Sequence, residues 1–111
     1  MMDYRNMFDF TGKKILVTGG TGTLGSEFAS AFASCGADVV ISGRDRKKAD
    51  EVLKKCRIYG GKFDFVSCDL SDIRSVREMV ARARDILGRI GVLCSHAGYS
   101  IRRPALECTE D

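Results

Sequence analysis

With 111 residues, 44% of them hydrophobic and 30% charged, the chain has the composition of one small globular domain. Its formal net charge of +3 arises from interspersed charges of both signs, which argues against nucleic acid as a partner. No apolar run approaches the ~20 residues that span a bilayer, and residues 1–10 lack the apolar core of a signal peptide. We therefore expect a cytoplasmic protein with no membrane partner.

The cysteines favour a reduced, metal-free protein. There are five of them, widely spaced and never arranged as Cys-x-x-Cys, and His96 is the single histidine. That set gives little support to a zinc site, so we predict no bound metal. Most of the cysteines fall on predicted strands or apolar helix faces, where a reduced thiol behaves as a small hydrophobic side chain.

Strand and helix patterns alternate along the chain. Apolar and β-branched runs predict four strands, at residues 14–18, 37–42, 62–68 and 90–95. Apolar residues at helical spacing predict three helices, at residues 24–35, 46–59 and 73–87. Gly36, Gly60 and Gly88 follow these helices as C-cap residues do. The short connections and regular alternation predict an α/β fold.

Each predicted helix has one apolar face, which we expect to lie on the sheet. In the first helix this face comprises Leu24, Phe28, Ala31, Phe32 and Cys35. In the second helix it comprises Ala49, Val52, Leu53 and Cys56. In the third helix it comprises Ile73, Val76, Val80, Ala83 and Leu87.

The order β-α-β-α-β-α-β predicts a Rossmann-type parallel sheet with strand order 3-2-1-4, right-handed crossovers and helices on both faces. Such sheets bind ligands outside the carboxyl ends of the strands, where the strand order reverses, here between the first and fourth strands. Residues 1–111 would then be the N-terminal part of a single dinucleotide-binding domain. We expect this domain to be incomplete at its C-terminus, because two helices would cover one face and only one helix the other.

A glycine-rich loop joins the first strand to the first helix. It comprises Gly19, Gly20, Thr21, Gly22, Thr23, Leu24 and Gly25, and the spacing Gly20-x-Gly22-x-x-Gly25 matches the dinucleotide-binding fingerprint. The first N–H groups of a helix lack partners and carry partial positive charge, so they suit a phosphate. Glycines allow the tight turn and the close approach of a pyrophosphate. We predict a pyrophosphate cradle; the alternative is a glycine-rich turn without a ligand.

Gly43 and Arg44 follow the second strand about 20 residues after the loop, where the fingerprint expects a ribose-binding residue. An acidic residue there would accept hydrogen bonds from a ribose 2′-hydroxyl and repel a 2′-phosphate. Arginine can instead pair with the phosphate through bidentate, charge-assisted bonds. We therefore predict NADP in preference to NAD, the alternative being a solvated loop arginine. Asp45 is expected to cap the second helix.

Two further strand ends carry residues that suit a nucleotide. Asp69 could accept a hydrogen bond from an adenine amino group while Leu70 packs on the ring, the alternative for Asp69 being a capping role. His96, Ala97 and Gly98 follow the fourth strand and offer small residues where the backbone must approach a ribose or nicotinamide. No nucleophile with an orienting carboxylate is evident beside His96, so we predict a structural or cofactor-contacting role for it.

Together these motifs resemble the short-chain dehydrogenases/reductases over nearly the whole chain, from about residue 8 to residue 111. Residues 19–25 resemble that family's pyrophosphate loop, Asp69 its adenine-contacting aspartate, and residues 95–98 its Asn-Asn-Ala-Gly element. The resemblance implies an enzyme that transfers a hydride between a nicotinamide cofactor and a small-molecule carbonyl or alcohol substrate. The family's catalytic serine and Tyr-x-x-x-Lys pair lie beyond the fourth strand. No tyrosine of this chain has a lysine four residues on, so no residue is assigned a catalytic role.

The sequence departs from the family pattern at two places. Gly22 comes one residue earlier than the middle glycine of the single-domain branch, a spacing more typical of the extended, epimerase-like branch. Ser95 and His96 replace the Asn-Asn pair. Two alternatives therefore stay open: a fragment of an epimerase-like enzyme, and a non-catalytic nucleotide-binding or interaction module.

The end of the chain bears on substrate and assembly. Residues 99–107 resemble a loop of sugar-acid dehydrogenases such as gluconate 5-dehydrogenase, and its two arginines could receive a carboxylate. A solvated basic loop is the alternative, and 3-oxoacyl-carrier-protein reductases are another common class in this branch.

The fourth strand would be an open edge with Val92, Leu93 and part of Val17 under-covered. We therefore expect a homo-oligomer, or association through that edge.

Overall fold

The computed structural model describes residues 8–96, which form four strands and three helices in alternation. The elements are β1 (Lys14–Thr18), α1 (Thr23–Ser34), β2 (Asp38–Gly43), α2 (Arg46–Arg57), β3 (Phe63–Ser67), α3 (Ile73–Leu87) and β4 (Val92–Ser95). The predicted number, kind and order of the elements are confirmed. The helix α2 ends at Arg57, two residues earlier than predicted, and Gly60 with a φ of 82° turns the chain toward β3.

The sheet is parallel throughout and has the predicted strand order. β1 pairs with β2 on one side and with β4 on the other, and β3 pairs with β2, so the order is β3-β2-β1-β4. In the register, Leu16 of β1 lies opposite Val40 and Leu93. The carboxyl ends of all four strands therefore meet at one edge of the sheet, where the strand order reverses between β1 and β4.

Successive residues of a strand point to opposite faces, so the sheet has two separate cores. The core beneath α1 and α2 contains the strand residues Ile15, Val17, Val39, Ile41, Phe63 and Phe65. The core beneath α3 contains Leu16, Val40 and Val66. The predicted inward residues of α2 are confirmed, since Ala49, Val52, Leu53 and Cys56 are all buried. Helices on both faces of the sheet are likewise confirmed.

The predicted inward face of α1 is wrong for most of its residues, although Phe32 packs against the core. The residues that α1 buries are Gly25, Ala29 and Ala33, whereas Leu24 and Phe28 are 56% and 39% exposed. Small residues at every fourth position let the helix approach the sheet closely, and large side chains on that face would hold it away. The prediction placed the largest apolar side chains between α1 and the sheet, and these would need a larger distance between helix and sheet than the structure has.

The predicted inward face of α3 is partly wrong. Met79, Ala83 and Leu87 are buried, but Ile73 is 63% exposed. Val80 is exposed as well. The helix packs against β2 and β3, which turns Met79 toward the sheet and leaves the flank with Ile73 uncovered by any element between residues 8 and 96.

The edge strand β4 is exposed as expected, with one exception. Leu93 is 60% exposed and Val92 is also exposed. Val17 was expected to be under-covered but is fully buried, because it packs in the core beneath α1 and α2. The exposed apolar residues of the sheet therefore lie on β4, and Val17 of the central strand is not among them.

The four cysteines between residues 8 and 96 are buried or partly buried, as expected of thiols that pack as small hydrophobic side chains. Cys56 and Cys68 are buried, and Cys35 and Cys94 are partly buried, all four as free thiols. Burial raises the pKa of the Cys56 thiol, against a smaller opposing effect of the Arg57 charge. Within residues 8–96 no three potential metal ligands cluster, and no helix has both the length and the apolar character needed to cross a membrane.

An ion pair joins the amino ends of β1 and β2. The Asp38 carboxylate pairs with the Lys14 ammonium and accepts a 2.8 Å hydrogen bond from the backbone N–H of Lys62, which precedes β3. Burial by itself raises the pKa of Asp38, but the bonds from Lys14 and Lys62 outweigh it, so the pKa is lowered from its ordinary value. The ionised carboxylate therefore stabilises the folded state.

We expect Asp38→Asn to lower the free energy of unfolding by about 1.5–3 kcal/mol at neutral pH, the usual size for a hydrogen bond to a charged group. Because the folded-state pKa is depressed, this stabilisation is present above the unfolded pKa of Asp, about 3.9, and is lost as pH falls through the folded value. Urea denaturation at neutral pH and at about pH 3 measures both effects. Asp50→Asn is the control, since Asp50 makes only an exposed 3.4 Å pair with Arg46. Equal losses for the two variants would contradict the prediction.

Candidate nucleotide-binding site

A cavity of about 680 Å³ lies at the carboxyl ends of the strands, within the range of roughly 300–1,000 Å³ typical of small-molecule sites. Its lining comes from all four strand ends and comprises Gly19, Thr21, Gly22, Thr23, Ser42, Gly43, Arg44, Cys68, Asp69, Leu70, Ser71 and His96. The structure thus brings together residues up to 77 positions apart, from Gly19 to His96. Of the predicted loop residues, Gly20, Leu24 and Gly25 do not line the cavity.

The loop between β1 and α1 is held against the end of β2. Gly19 has a φ of 69°, a left-handed conformation that favours glycine. The N–H of Gly20 donates to the Ser42 carbonyl oxygen at 3.1 Å, and the N–H of Gly22 donates to the Gly19 carbonyl oxygen at 3.1 Å. The loop therefore has a defined path over the sheet edge before any ligand binds.

The helix α1 begins without a side-chain cap, unlike the other two. Asp45 accepts from the Lys48 N–H at 3.1 Å at the start of α2, and Asp72 accepts from the Arg74 N–H at 2.9 Å at the start of α3. At the start of α1 the N-cap is Gly22, and no side chain among residues 8–96 accepts from the first N–H groups. These N–H groups can therefore satisfy an anionic ligand.

The glycines of the loop serve two different purposes. A Cβ at Gly25 would lie 2.0 Å from the Gly19 carbonyl oxygen, and a Cβ at Gly20 would lie 2.6 Å from the Cβ of Ile41. Both positions need glycine for the protein's own packing. A Cβ at Gly22 would meet only the Gly19 carbonyl oxygen, at 3.4 Å, and otherwise open space beside the cavity. The protein's own packing would allow a side chain at position 22. The glycine there therefore fits a ligand that approaches the backbone closely, as a pyrophosphate does.

Arg44 is a cation that a ligand at the end of β2 could contact. It is exposed and lines the cavity. The nearby Arg46 is engaged elsewhere, since its guanidinium lies 5.5 Å from the centre of the Phe65 ring and its Nε lies 3.4 Å from Asp50. Asp45 caps α2, as the sequence predicts. A phosphate at this corner would therefore meet the Arg44 guanidinium without a competing carboxylate from Asp45.

Asp69 is held in a tight turn before α3. Its Oδ1 accepts from the Ser71 hydroxyl at 2.7 Å and from the Ser71 N–H at 3.0 Å. These two bonds lower the pKa of Asp69, and the Arg44 charge adds to the effect. Both bonds use Oδ1, which leaves Oδ2 for a donor on a ligand. Leu70, next to it, is about half exposed and presents an apolar surface to the cavity.

The backbone of His96 is hydrogen-bonded to β1, and its ring packs against α1. Its N–H donates to both the carbonyl oxygen and the hydroxyl of Thr18, each at 3.2 Å. Its ring makes an edge-to-face contact with Phe28, with centroids 5.3 Å apart and planes at 87°. Ala97 and Gly98, the other predicted residues of this strand end, lie outside the described residues.

The sequence reasoning missed three residues at the site. Ser42 and Ser71 line the cavity, and Phe28 contacts His96. Ser71 had a local signal, because a serine two residues after an aspartate commonly closes an Asx-turn. Ser42 was treated as a strand residue, and no local signal pairs Phe28 with a histidine 68 positions away.

Known proteins resemble this chain in sequence. The family model described as short chain dehydrogenase matches residues 13–111. A glucose 1-dehydrogenase of Gluconobacter oxydans is 36% identical over 97 residues, covering 86% of this chain and 36% of the relative. A fatty acyl-CoA reductase of Mycobacterium tuberculosis is 35% identical over 102 residues, covering 92% of this chain and 35% of the relative. The chain thus spans about a third of the length of these curated relatives.

Solved structures agree with the sequence comparisons. A short-chain type dehydrogenase/reductase from Mycobacterium marinum superposes with a TM-score of 0.86 at 29% identity, covering 97% of this chain and 44% of that one. A short chain dehydrogenase from Burkholderia cenocepacia in complex with NADP superposes with a TM-score of 0.83 at 28% identity, covering 92% of this chain and 42% of that one. The Rossmann-type fold is confirmed. The chain belongs to the short-chain dehydrogenase/reductase family.

Proposed function

We propose that this chain is the NADP(H)-binding, N-terminal portion of a short-chain dehydrogenase/reductase whose single domain continues beyond these residues. The observation that carries the proposal is the uncapped start of α1 beside a cavity that Arg44 and Asp69 also line. Within residues 8–96, the N–H groups at the uncapped start of α1, the Arg44 guanidinium and Asp69 Oδ2 all lie beside this cavity. This combination fits a dinucleotide with a 2′-phosphate.

Each part of the cavity suits one part of that ligand. The N–H groups of residues 23–25 would bind the pyrophosphate, and Arg44 would pair with the 2′-phosphate. Asp69 Oδ2 would accept from the adenine amino group, with Leu70 against the ring. His96, Ala97 and Gly98 would lie on the nicotinamide side. The cofactor, when bound, supplies or accepts the hydride.

The substrate class is a small-molecule carbonyl or alcohol. Relatives named as a glucose 1-dehydrogenase and a sorbose reductase support a sugar or sugar acid, whereas a relative named as a fatty acyl-CoA reductase supports a longer substrate. The loop at residues 99–107, from which a sugar acid was inferred, lies outside the described residues. We assign no catalytic residue to this chain, and we expect it to bind cofactor without completing turnover.

The proposal is tested by titrating the chain with NADPH and with NADH and following fluorescence or binding heat. Saturable binding of NADPH, tighter than that of NADH, supports it. If neither cofactor binds to a sample that circular dichroism shows to be folded, the functional proposal fails. If NADH binds more tightly than NADPH, only the NADP assignment fails.

The exposed edge of the sheet supports a second part of the proposal, namely self-association of this chain. We expect the chain to form oligomers at micromolar concentration and Leu93→Lys to shift it toward the monomer, because a charge at an edge strand opposes pairing. Light scattering coupled to size exclusion measures the change. Ile58→Lys is the control, since Ile58 is likewise apolar and exposed but lies at the end of α2. A monodisperse wild-type monomer would contradict the expectation.

A further inference from the structure

The carboxyl end of α2 and the turn after it, residues 54–62, form a basic segment at the surface. It contains no acidic residue, and its four cations are all exposed: Lys54, Lys55, Arg57 and Lys62. None of these four makes an ion pair with another residue between 8 and 96. The Asp38 carboxylate accepts from the Lys62 backbone N–H but is already paired with Lys14. The segment therefore presents concentrated positive charge to the surroundings.

Two large apolar side chains lie in the middle of the basic segment. Ile58 is 77% exposed and Tyr59 is 47% exposed. Both follow the last residue of α2 directly, in a turn where Gly60 has a φ of 82°. The apolar face of α2 is buried against the sheet, and these two side chains are not part of it. The basic segment thus combines cations with projecting apolar groups that contribute little to the packing of residues 8–96.

The basic segment lies far from the nucleotide cavity. In a parallel sheet with helical crossovers, every helix ends at the amino ends of the strands, whereas the cavity lies at their carboxyl ends. The strand order β3-β2-β1-β4 also places β3, which follows the segment, at one edge of the sheet. The continuation of the domain proposed above follows β4, at the other edge. The segment is therefore separate from the cofactor site and from the exposed strand β4.

The helix dipole explains only part of this arrangement. Cations in the last turn of a helix are stabilised by the partial negative charge of its carboxyl end, which accounts for the three cations within α2. It does not account for Lys62, which lies beyond the helix, or for the exposed Ile58 and Tyr59. Pairing of this surface with its copy on a second chain is opposed by repulsion between like charges. A bilayer with anionic headgroups matches both features, because it attracts basic clusters and its interface accepts apolar and aromatic side chains.

We propose that residues 54–62 bind the surface of a bilayer that contains anionic phospholipid. The cations contact the headgroups, and Ile58 and Tyr59 enter the interface between headgroups and acyl chains. Both contributions are needed, since a single weak one gives only marginal, reversible binding. A surface contact requires no spanning segment, so it revises the expectation of no membrane partner, which was drawn from the lack of a long apolar run. This inference goes beyond the proposed function and does not depend on it.

The electrostatic part is tested by co-sedimentation with vesicles of phosphatidylcholine alone and of phosphatidylcholine and phosphatidylserine in about a 3:1 ratio. Wild type is expected to bind only the second kind. Lys54→Gln/Lys55→Gln is expected to bind these about twentyfold less tightly, because each cation near such a surface contributes about fivefold. Lys47→Gln/Lys48→Gln is the matched control. It removes the same charge about 10 Å away along α2, roughly one Debye length at 0.1 M salt, so its loss is expected to be a few-fold. Equal losses for the two pairs, or equal binding of wild type to both kinds of vesicle, overturn the proposal.

The apolar part is tested with Ile58→Ser/Tyr59→Ser, which leaves the charge unchanged. This variant is expected to bind the anionic vesicles at least about tenfold less tightly, because two apolar side chains no longer enter the interface. Ile73→Ser is the control, since Ile73 is 63% exposed but lies at the start of α3, at the cavity end of the molecule. If Ile58→Ser/Tyr59→Ser binds like wild type, the surface recognises negative charge alone, as an acidic protein would supply, and the bilayer proposal is overturned. NADPH titration of Lys54→Gln/Lys55→Gln is expected to match wild type, so loss of vesicle binding is distinguishable from loss of cofactor binding.

Discussion

Replacing Gly25 by alanine is expected to have the largest effect of any single substitution in the loop. The new Cβ would lie 2.0 Å from the carbonyl oxygen and 2.8 Å from the carbonyl carbon of Gly19. Both atoms belong to the backbone, so no side chain can rotate to relieve the clash and α1 must move away from the loop. We expect a loss of about 3 kcal/mol or more in the free energy of unfolding. NADPH binding should be lost with it. Urea denaturation and NADPH titration measure the two effects.

Gly22→Ala is the matched control, because it adds the same methyl group to the same loop. Its Cβ would meet only one backbone oxygen, at 3.4 Å, so we expect stability close to that of wild type. We nevertheless expect NADPH affinity to fall at least about tenfold, since the methyl group would hold the pyrophosphate away from the helix N-terminus. A stable Gly22→Ala variant with unchanged NADPH affinity would show that no ligand approaches the backbone here.

Arg44→Ala is expected to weaken NADPH binding by about ten- to a hundredfold while leaving NADH binding nearly unchanged. A bidentate, charge-assisted contact with the 2′-phosphate is made by one cofactor and not by the other, so the loss falls on NADPH alone. Parallel titrations with the two cofactors give the ratio of affinities. The NADPH affinity of wild type should also fall more steeply with salt than that of the variant.

Arg46→Ala tests whether any positive charge in this region would suffice. Arg46 is two residues away, but its guanidinium lies over Phe65 and beside Asp50. We therefore expect the ratio of NADPH to NADH affinity to change little. If Arg44→Ala lowered both affinities equally, or if Arg46→Ala changed the ratio as much as Arg44→Ala, recognition of the 2′-phosphate by Arg44 would be refuted.

Local patterns were sufficient for the architecture. Asp45 was expected to cap α2, and it does so. The inward face of α2 was predicted correctly because lysines occupy its other faces and leave no ambiguity. Four apolar runs separated by helices leave few topologies once connections are short and crossovers right-handed. The sheet order and the edge at which the cavity lies follow from these features.

The inward faces of α1 and α3 could not be predicted in the same way. Hydrophobicity favours Leu24 and Phe28 over Gly25 and Ala29, yet α1 buries the smaller pair. What decides between the two pairs is the distance between α1 and the sheet. This distance is short because Gly25, which has no side chain, lies directly against the backbone of Gly19. That distance is a property of two packed elements and leaves no signal in the periodicity of one.

The sequence by itself determined the order of the elements, the parallel sheet, the glycine loop before α1 and the residues at the strand ends, because each depends on neighbours a few positions apart. Only the tertiary structure decided three contacts. Thr21 lies beside Gly43, the Arg46 guanidinium lies over the Phe65 ring, and the His96 ring packs against Phe28. These contacts join residues about 20 to 70 positions apart. They depend on the spacing and register of packed elements, which close packing sets to within a fraction of an ångström.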